Sequence, residues 1–267
     1  MQKSTFITST IAVSIFGLGL TAGIPAANAV LNLVPQREGE IKLSNVNCIV
    51  DATDCIDTQQ ELGYTVTSLP FDYDGQQNQY GISRLFVDNT TTANTWHGSS
   101  GLGISFAMND MGTNPTPNQF WFRPVAYLGT EPGSLPTGTT VENGQLEVGR
   151  FRFDLGREFS EVSFNFFDIE ASNFTGILEV NGQRISRLLN GGPDGNLQQL
   201  TLSNVRSFVV QFGKPGANGD LFSQNGDGVQ IQITAVPEPG TLMGMGTVVL
   251  AGILGLRQRK KQLGTGN

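Results

Sequence analysis

The single histidine, His97 in Thr95-Trp96-His97-Gly98-Ser99-Ser100, is where catalysis would first be sought, since an imidazole beside Ser99 could act as its general base. The chain has no Gly-x-Ser-x-Gly turn to present a serine nucleophile and no spaced acid that completes a triad, so no catalytic residue is expected. Glycoside hydrolysis needs two carboxylates about 5 to 9.5 Å apart. Asp168 and Glu170 satisfy that on one strand face, but so does almost any Asp-x-Glu, which leaves a glycosidase-type hydrolase as the alternative reading. The same pair suits a hard cation, which collects carboxylates and backbone carbonyls, and a structural calcium joining Asp168 or Glu170 to Asp227 is the favoured metal site. Asp72 and Asp74 beside Gly75, and Asp220, are further acidic turn residues, and none of these segments reads as an EF-hand loop. Trp96, Trp121 and Tyr127 lie in or beside long loops, where exposed rings could stack on the faces of sugars.

These groups are carried by a chain whose two ends differ from its middle. Lys3, an apolar run over 6–23 and Ala27-Asn28-Ala29 have the order of a secretory signal peptide, with cleavage expected after Ala29. Export favours a disulfide, so Cys48 and Cys55, in NCIVDATDC with no histidine nearby, are expected to close a small loop rather than to hold zinc. At the other end, Pro237 and Pro239 remove backbone donors and are expected to stop the last strand. An uncharged apolar stretch follows over 241–256, closed by Arg257, Arg259, Lys260 and Lys261. At 1.5 Å per residue it reaches roughly 24 Å, a marginal single span of a ~30 Å hydrocarbon layer. The basic cluster would hold the C-terminus in the cytoplasm while the ectodomain faces out, as a type I inner-membrane intermediate.

Between these ends, residues 30–236 carry 22 Asp plus Glu against 11 Lys plus Arg. Nucleic acid is thereby excluded as a partner, because phosphate neutralisation needs clustered Lys and Arg. Fifteen of the 17 Phe lie here, mostly in short apolar runs separated by turn signals, and no segment keeps a helical period, so the expected fold is all-β: an antiparallel sandwich or jelly roll over 30–235. Leu146, Val148, Phe151 and Phe153 alternate with polar residues, the phase slipping at Gly149 as a bulge would require. Phe159, Val162, Phe164 and Phe166 give a second alternating run, and Asn181-Gly182 reads as a hairpin turn. Residues 109–118 and 130–143 read as long loops.

Pro237-Glu238-Pro239, a short Gly-rich apolar helix and a terminal Arg/Lys run together resemble the PEP-CTERM sorting signal. That resemblance implies processing near the motif by an exosortase, a membrane-embedded cysteine protease, and delivery to the cell surface or extracellular matrix. Leu146-Glu147-Val148-Gly149, with Phe166-Phe167-Asp168-Ile169-Glu170 and Leu178-Glu179-Val180-Asn181-Gly182, resembles the cyanobacterial PEP-CTERM group named for its LEVG motif. It covers about half the ectodomain and implies no particular activity. The expected function is therefore that of an exported, non-enzymatic surface or matrix protein that binds or structures polysaccharide.

Overall fold

The computed structural model describes residues 30–71, 83–97, 102–108, 116, 118–126, 138–142, 146–214 and 229–238. The fold is all-β, with one helical turn among the described residues, α1 (Thr58–Glu61). The strands are β1 (Leu31–Asn32), β2 (Gly39–Ile41), β3 (Cys55–Ile56), β4 (Thr65–Leu69), β5 (Arg84–Asp88), β6 (Asn94–His97) and β7 (Leu102–Phe106). They continue as β8 (Trp121–Val125), β9 (Gly138–Glu142), β10 (Gly149–Phe167), β11 (Gly176–Val180), β12 (Gln183–Leu188), β13 (Leu197–Phe212) and β14 (Gln230–Pro237). Among the described residues no helix is long and apolar enough to cross a membrane; the apolar stretch 241–256 and the leader 1–29 lie outside them.

The two alternating Phe runs form one 19-residue strand, β10, with the bulge between Asp154 and Phe159 rather than at Gly149. Gly156 sits there at φ +66°, and a Cβ added to it would lie 2.8 Å from the Gly63 carbonyl oxygen, so only glycine fits. Gly149 has a different duty: the Phe151 ring and Ser83 Cβ leave its own Cβ no room. Leu146 and Val148, read as part of the strand, precede it and are buried in a connecting segment.

Strand β13 runs antiparallel along nearly the whole of β10. The opposite edge of β10 is shared, β4 taking residues 150–154 and β14 taking residues 159–167. The bulge thus separates two halves of one large sheet, one ending β13-β11-β12 and the other continuing β14-β8-β5-β2-β3. Aromatic rings fill the core along this strand: Phe153 packs 4.8 Å from Phe208, its cross-strand partner on β13, 5.6 Å from Phe122 of β8 and 5.9 Å from Tyr64. Each buried Phe of this kind removes enough apolar area from water that truncation to Ala costs about 3–5 kcal/mol.

A three-stranded sheet, β6-β7-β9, encloses a second core with Phe86, Trp96, Ile104, Phe106, Val125 and Leu146. Strand β9 falls inside the expected loop 130–143 and pairs parallel to β7; β2 and β3 also pair parallel. The sheets are therefore mixed, because pairing partners distant in sequence supply edges that no local hairpin provides.

Charges are built into this second core. Arg84 and Asp88 flank Phe86 on one strand, and Arg123 pairs opposite Phe86. Fully buried Arg123 meets Asp88 Oδ2 at 2.6 Å and Glu147 Oε1 at 3.1 Å, while Glu147 Oε2 accepts the Leu146 N–H. Removing one partner of such a pair strands a charge in the interior at a cost of about 3–5 kcal/mol. Glu40, also fully buried, accepts from Arg84 at 3.3 Å and from the N–H groups of Ile49 and Val50. Those two donors lie in the loop closed by the Cys48–Cys55 disulfide, whose Cα atoms are 6.0 Å apart.

Burial pushes the Glu40 carboxyl from 4.5 up to about 7, against the pull of Arg84 and the two N–H groups. A carboxyl raised in the fold binds its proton more tightly there than in the unfolded chain. Stability from this group is therefore full below about pH 4.5 and is lost as pH rises toward 7. Urea unfolding at pH 4.5 and pH 7.5 should show the native protein losing on the order of 1–3 kcal/mol relative to Glu40→Gln. Parallel pH profiles for the two proteins would contradict this.

Candidate functional site

Three places were candidates from the sequence, and the structure distributes them differently. The proposed stacking rings are the clearest correction. Trp96 is 6% exposed, its ring 5.0 Å from Phe106 and 5.4 Å from Phe86; Trp121 is 3% exposed and packs 5.8 Å from Phe167. Both rings are buried and leave no face for a sugar: alternation on β6 turns Trp96 inward, and β8 is buried along its whole length. Tyr127 and Ser99 lie outside the described residues. His97 is exposed on β6, at the register position of Gly103.

The acidic pair sits in a loop beyond β10, not on a strand face. Asp168 is at φ +60°, buried, with its N–H donating to the Asn196 carbonyl at 2.7 Å and its Oδ1 accepting the Gly195 N–H at 2.7 Å. Asn196 returns a bond from Nδ2 to the Ile169 carbonyl, and Gly191 approaches the Glu170 carbonyl so closely that a Cβ would collide at 2.1 Å. This interlock brings Asp194, from the turn before β13, to Asp168 and Glu170, the three carboxylates lying within 4.8 Å of one another. A hard cation is what such oxygen donors could hold. Asp227, the expected third ligand, lies outside the described residues. Asp194 was missed because its turn, Gly191 to Asn196, reads only as a tight loop until the β10–β13 pairing sets it beside Asp168.

A groove of about 420 Å³ opens on the outer face of the β10-β13-β11-β12 half. Its lining includes Phe71, Arg150, Phe174, Glu179, Arg184 and Gln211. Alternation on β10 buries Phe151 and Phe153 and turns Arg150 and Arg152 outward. Gln211 lies across from Arg150 on β13; its Oε1 accepts from the Arg150 Nε at 3.1 Å and Nη2 at 2.6 Å, and its Nε2 donates to the Phe174 carbonyl at 2.6 Å. Arg150 also lies 4.9 Å over the Phe71 ring, and Lys214 Nζ is 5.8 Å from the Phe174 ring. The far wall is the β11–β12 hairpin, where Glu179 pairs across from Arg184 and takes Arg152 at 3.0 Å. Asn181 and Gly182, both at positive φ, make its turn as expected. None of the three clustered carboxylates lines this groove.

The strand β14 does not stop before the sorting motif. It includes Pro237, which is buried opposite Phe159, and Ser160 Oγ donates to the Val236 carbonyl at 3.0 Å. Strand β1 pairs with the same end, Leu31 opposite Ala235. Glu238 is exposed; Pro239, Arg257, Arg259, Lys260 and Lys261 lie outside the described residues. Comparison with known families decides what this end is. Residues 235–260 match the PEP-CTERM protein-sorting motif. The motif indicates an exported, exosortase-sorted chain. No curated protein and no solved structure matches the chain.

Proposed function

We propose that this chain is a surface or extracellular-matrix protein, delivered through a cleaved signal peptide and a transient type I membrane intermediate, whose two-layered β-sandwich binds polysaccharide without cleaving it. The sorting motif at 235–260 carries the export part of this reading. The LEVG-group resemblance is consistent with it and adds no activity. The binding part is supported by the outer-face groove, where half-buried Phe174 offers apolar surface among amides, hydroxyls and guanidinium groups, the mixture that sugar rings require. A non-enzymatic role is supported by the separation of the Asp168 cluster from that groove, since a glycosidase needs its carboxylates astride the bound chain.

A bound calcium is a second proposal, supported by the approach of Asp168, Glu170 and Asp194 within 4.8 Å. It would tie the end of β10 to the turn before β13. Thermal melting with and without added calcium tests it: a rise in Tm that Asp194→Asn abolishes supports the site, and unchanged melting removes it.

For the main reading, the protein recovered from the host surface should be retained on a glycan array and on the host's own extracellular polysaccharide. No new reducing ends should appear on prolonged incubation. Turnover that is abolished by Asp168→Asn or Glu170→Gln would overturn the non-enzymatic assignment in favour of a hydrolase.

A further inference from the structure

We propose that the groove on β10, β13, β11 and β12 is selective for anionic polysaccharide, a polymer bearing carboxylate or sulfate groups; this rests on the polysaccharide reading above and narrows it. The observation behind it is a local inversion of charge. Residues 30–236 hold 22 acidic against 11 basic side chains, so the body as a whole repels polyanions. Two of the basic residues, Arg84 and Arg123, are consumed by buried ion pairs. Four more gather at the groove: Arg150 and Arg184 line it, Arg152 holds its Glu179, and Lys214 lies over its Phe174. Among the described residues that line the groove Glu179 is the one carboxylate, and it is already engaged by Arg152.

The arrangement suits a charged sugar better than a neutral one for two physical reasons. Guanidinium groups present paired N–H donors that match carboxylate and sulfate oxygens, and charge-assisted bonds of that kind are about twice as strong as neutral ones. Arg150 is also fixed in advance, by Gln211, by the Pro70 carbonyl at 3.3 Å and by the Phe71 ring, so little side-chain freedom is lost on binding. Arg184 is exposed on the opposite wall, with Nε turned to Ser186 Oγ at 3.1 Å. A polymer with an acidic group on successive residues could engage both walls while its ring faces rest on Phe174.

The test uses the processed protein from the host surface in affinity electrophoresis against polygalacturonate, dextran sulfate, neutral dextran and a DNA oligonucleotide. Polygalacturonate or dextran sulfate should retard it, neutral dextran should not, and raising NaCl from about 50 to about 300 mM should weaken binding severalfold. Arg184→Glu should weaken binding at least about tenfold, and Glu179→Gln should strengthen it about two- to threefold. Opposite effects from two exposed substitutions cannot come from misfolding. Dextran bound as tightly as polygalacturonate, with Arg184→Glu neutral, would overturn the anionic selectivity while leaving the polysaccharide reading in place. Failure to retain any glycan would remove both, and preference for the oligonucleotide over both charged glycans would overturn this proposal in favour of a different polyanion.

Discussion

The rest of this structure depends on one constraint: β10 must keep its period-2 burial through a bend. Phe151, Phe153 and Phe159 keep one phase across the bulge, where Gly156 takes a left-handed conformation against the Gly63 carbonyl, and a second register shift between Phe159 and Glu161 lets Phe164 and Phe166 reach the same core. The inward phase buries the aromatic core. The outward phase before the bend sets Arg150 in the groove and Arg152 against the groove's Glu179. The far end of the strand delivers Asp168 to Asp194, and the residues at the bend receive Pro237 of the sorting motif. A side chain at position 156 would disturb all of these together, since register, groove and tail seam share the same backbone.

Buried charge is the second organising element, and it gives the Leu146-Glu147-Val148-Gly149 string a physical meaning. Leu146 belongs to the core shared with Trp96 and Phe106, Glu147 neutralises Arg123, Val148 packs with Phe71 and Ala126, and Gly149 yields its space to Phe151. Each residue of the string serves a different layer, so the string clamps the junction between the three-stranded sheet and β10. Such a motif is structural. Ion pairs excluded from water add little net stability over apolar residues of the same shape, but they penalise any arrangement in which the partners do not meet.

The sequence made the all-β class, the hairpin at Asn181-Gly182, the Cys48–Cys55 bond and the tail legible, because each rests on local chemistry: alternation, positive φ, an oxidising route, proline and charge order. It did not reveal which residues meet across strands. The sequence points to Gly149 rather than Gly156 as the bulge because both are glycines within one alternating stretch, and only the fold shows that Gly156 takes a positive φ against the Gly63 carbonyl. Trp96 and Trp121 read as loop aromatics because β6 and β8 are short and border segments rich in Gly, Pro, Asn and Thr. The groove was invisible for the same reason: Arg150, Gln211, Phe174 and Arg184 are brought together only by the β10-β13-β11-β12 order.

The two ends of the proposed mature protein share one seam. Leu31, two residues after the expected signal-peptide cut, pairs with Ala235, and Pro237 is held on Phe159 two residues further along. Glu238 is the first exposed residue of the motif, so the folded body stands directly against the segment that the membrane protease must engage. The most direct measurement of the central claim, export followed by motif-dependent processing, is fractionation with C-terminal mass spectrometry of the native protein and of a variant with Pro237-Glu238-Pro239 replaced by alanines. We expect the native protein at the surface without its apolar tail, and the variant retained in the membrane with an intact C-terminus. Normal processing of the alanine variant by the native host would contradict that claim and reduce the tail to a simple anchor.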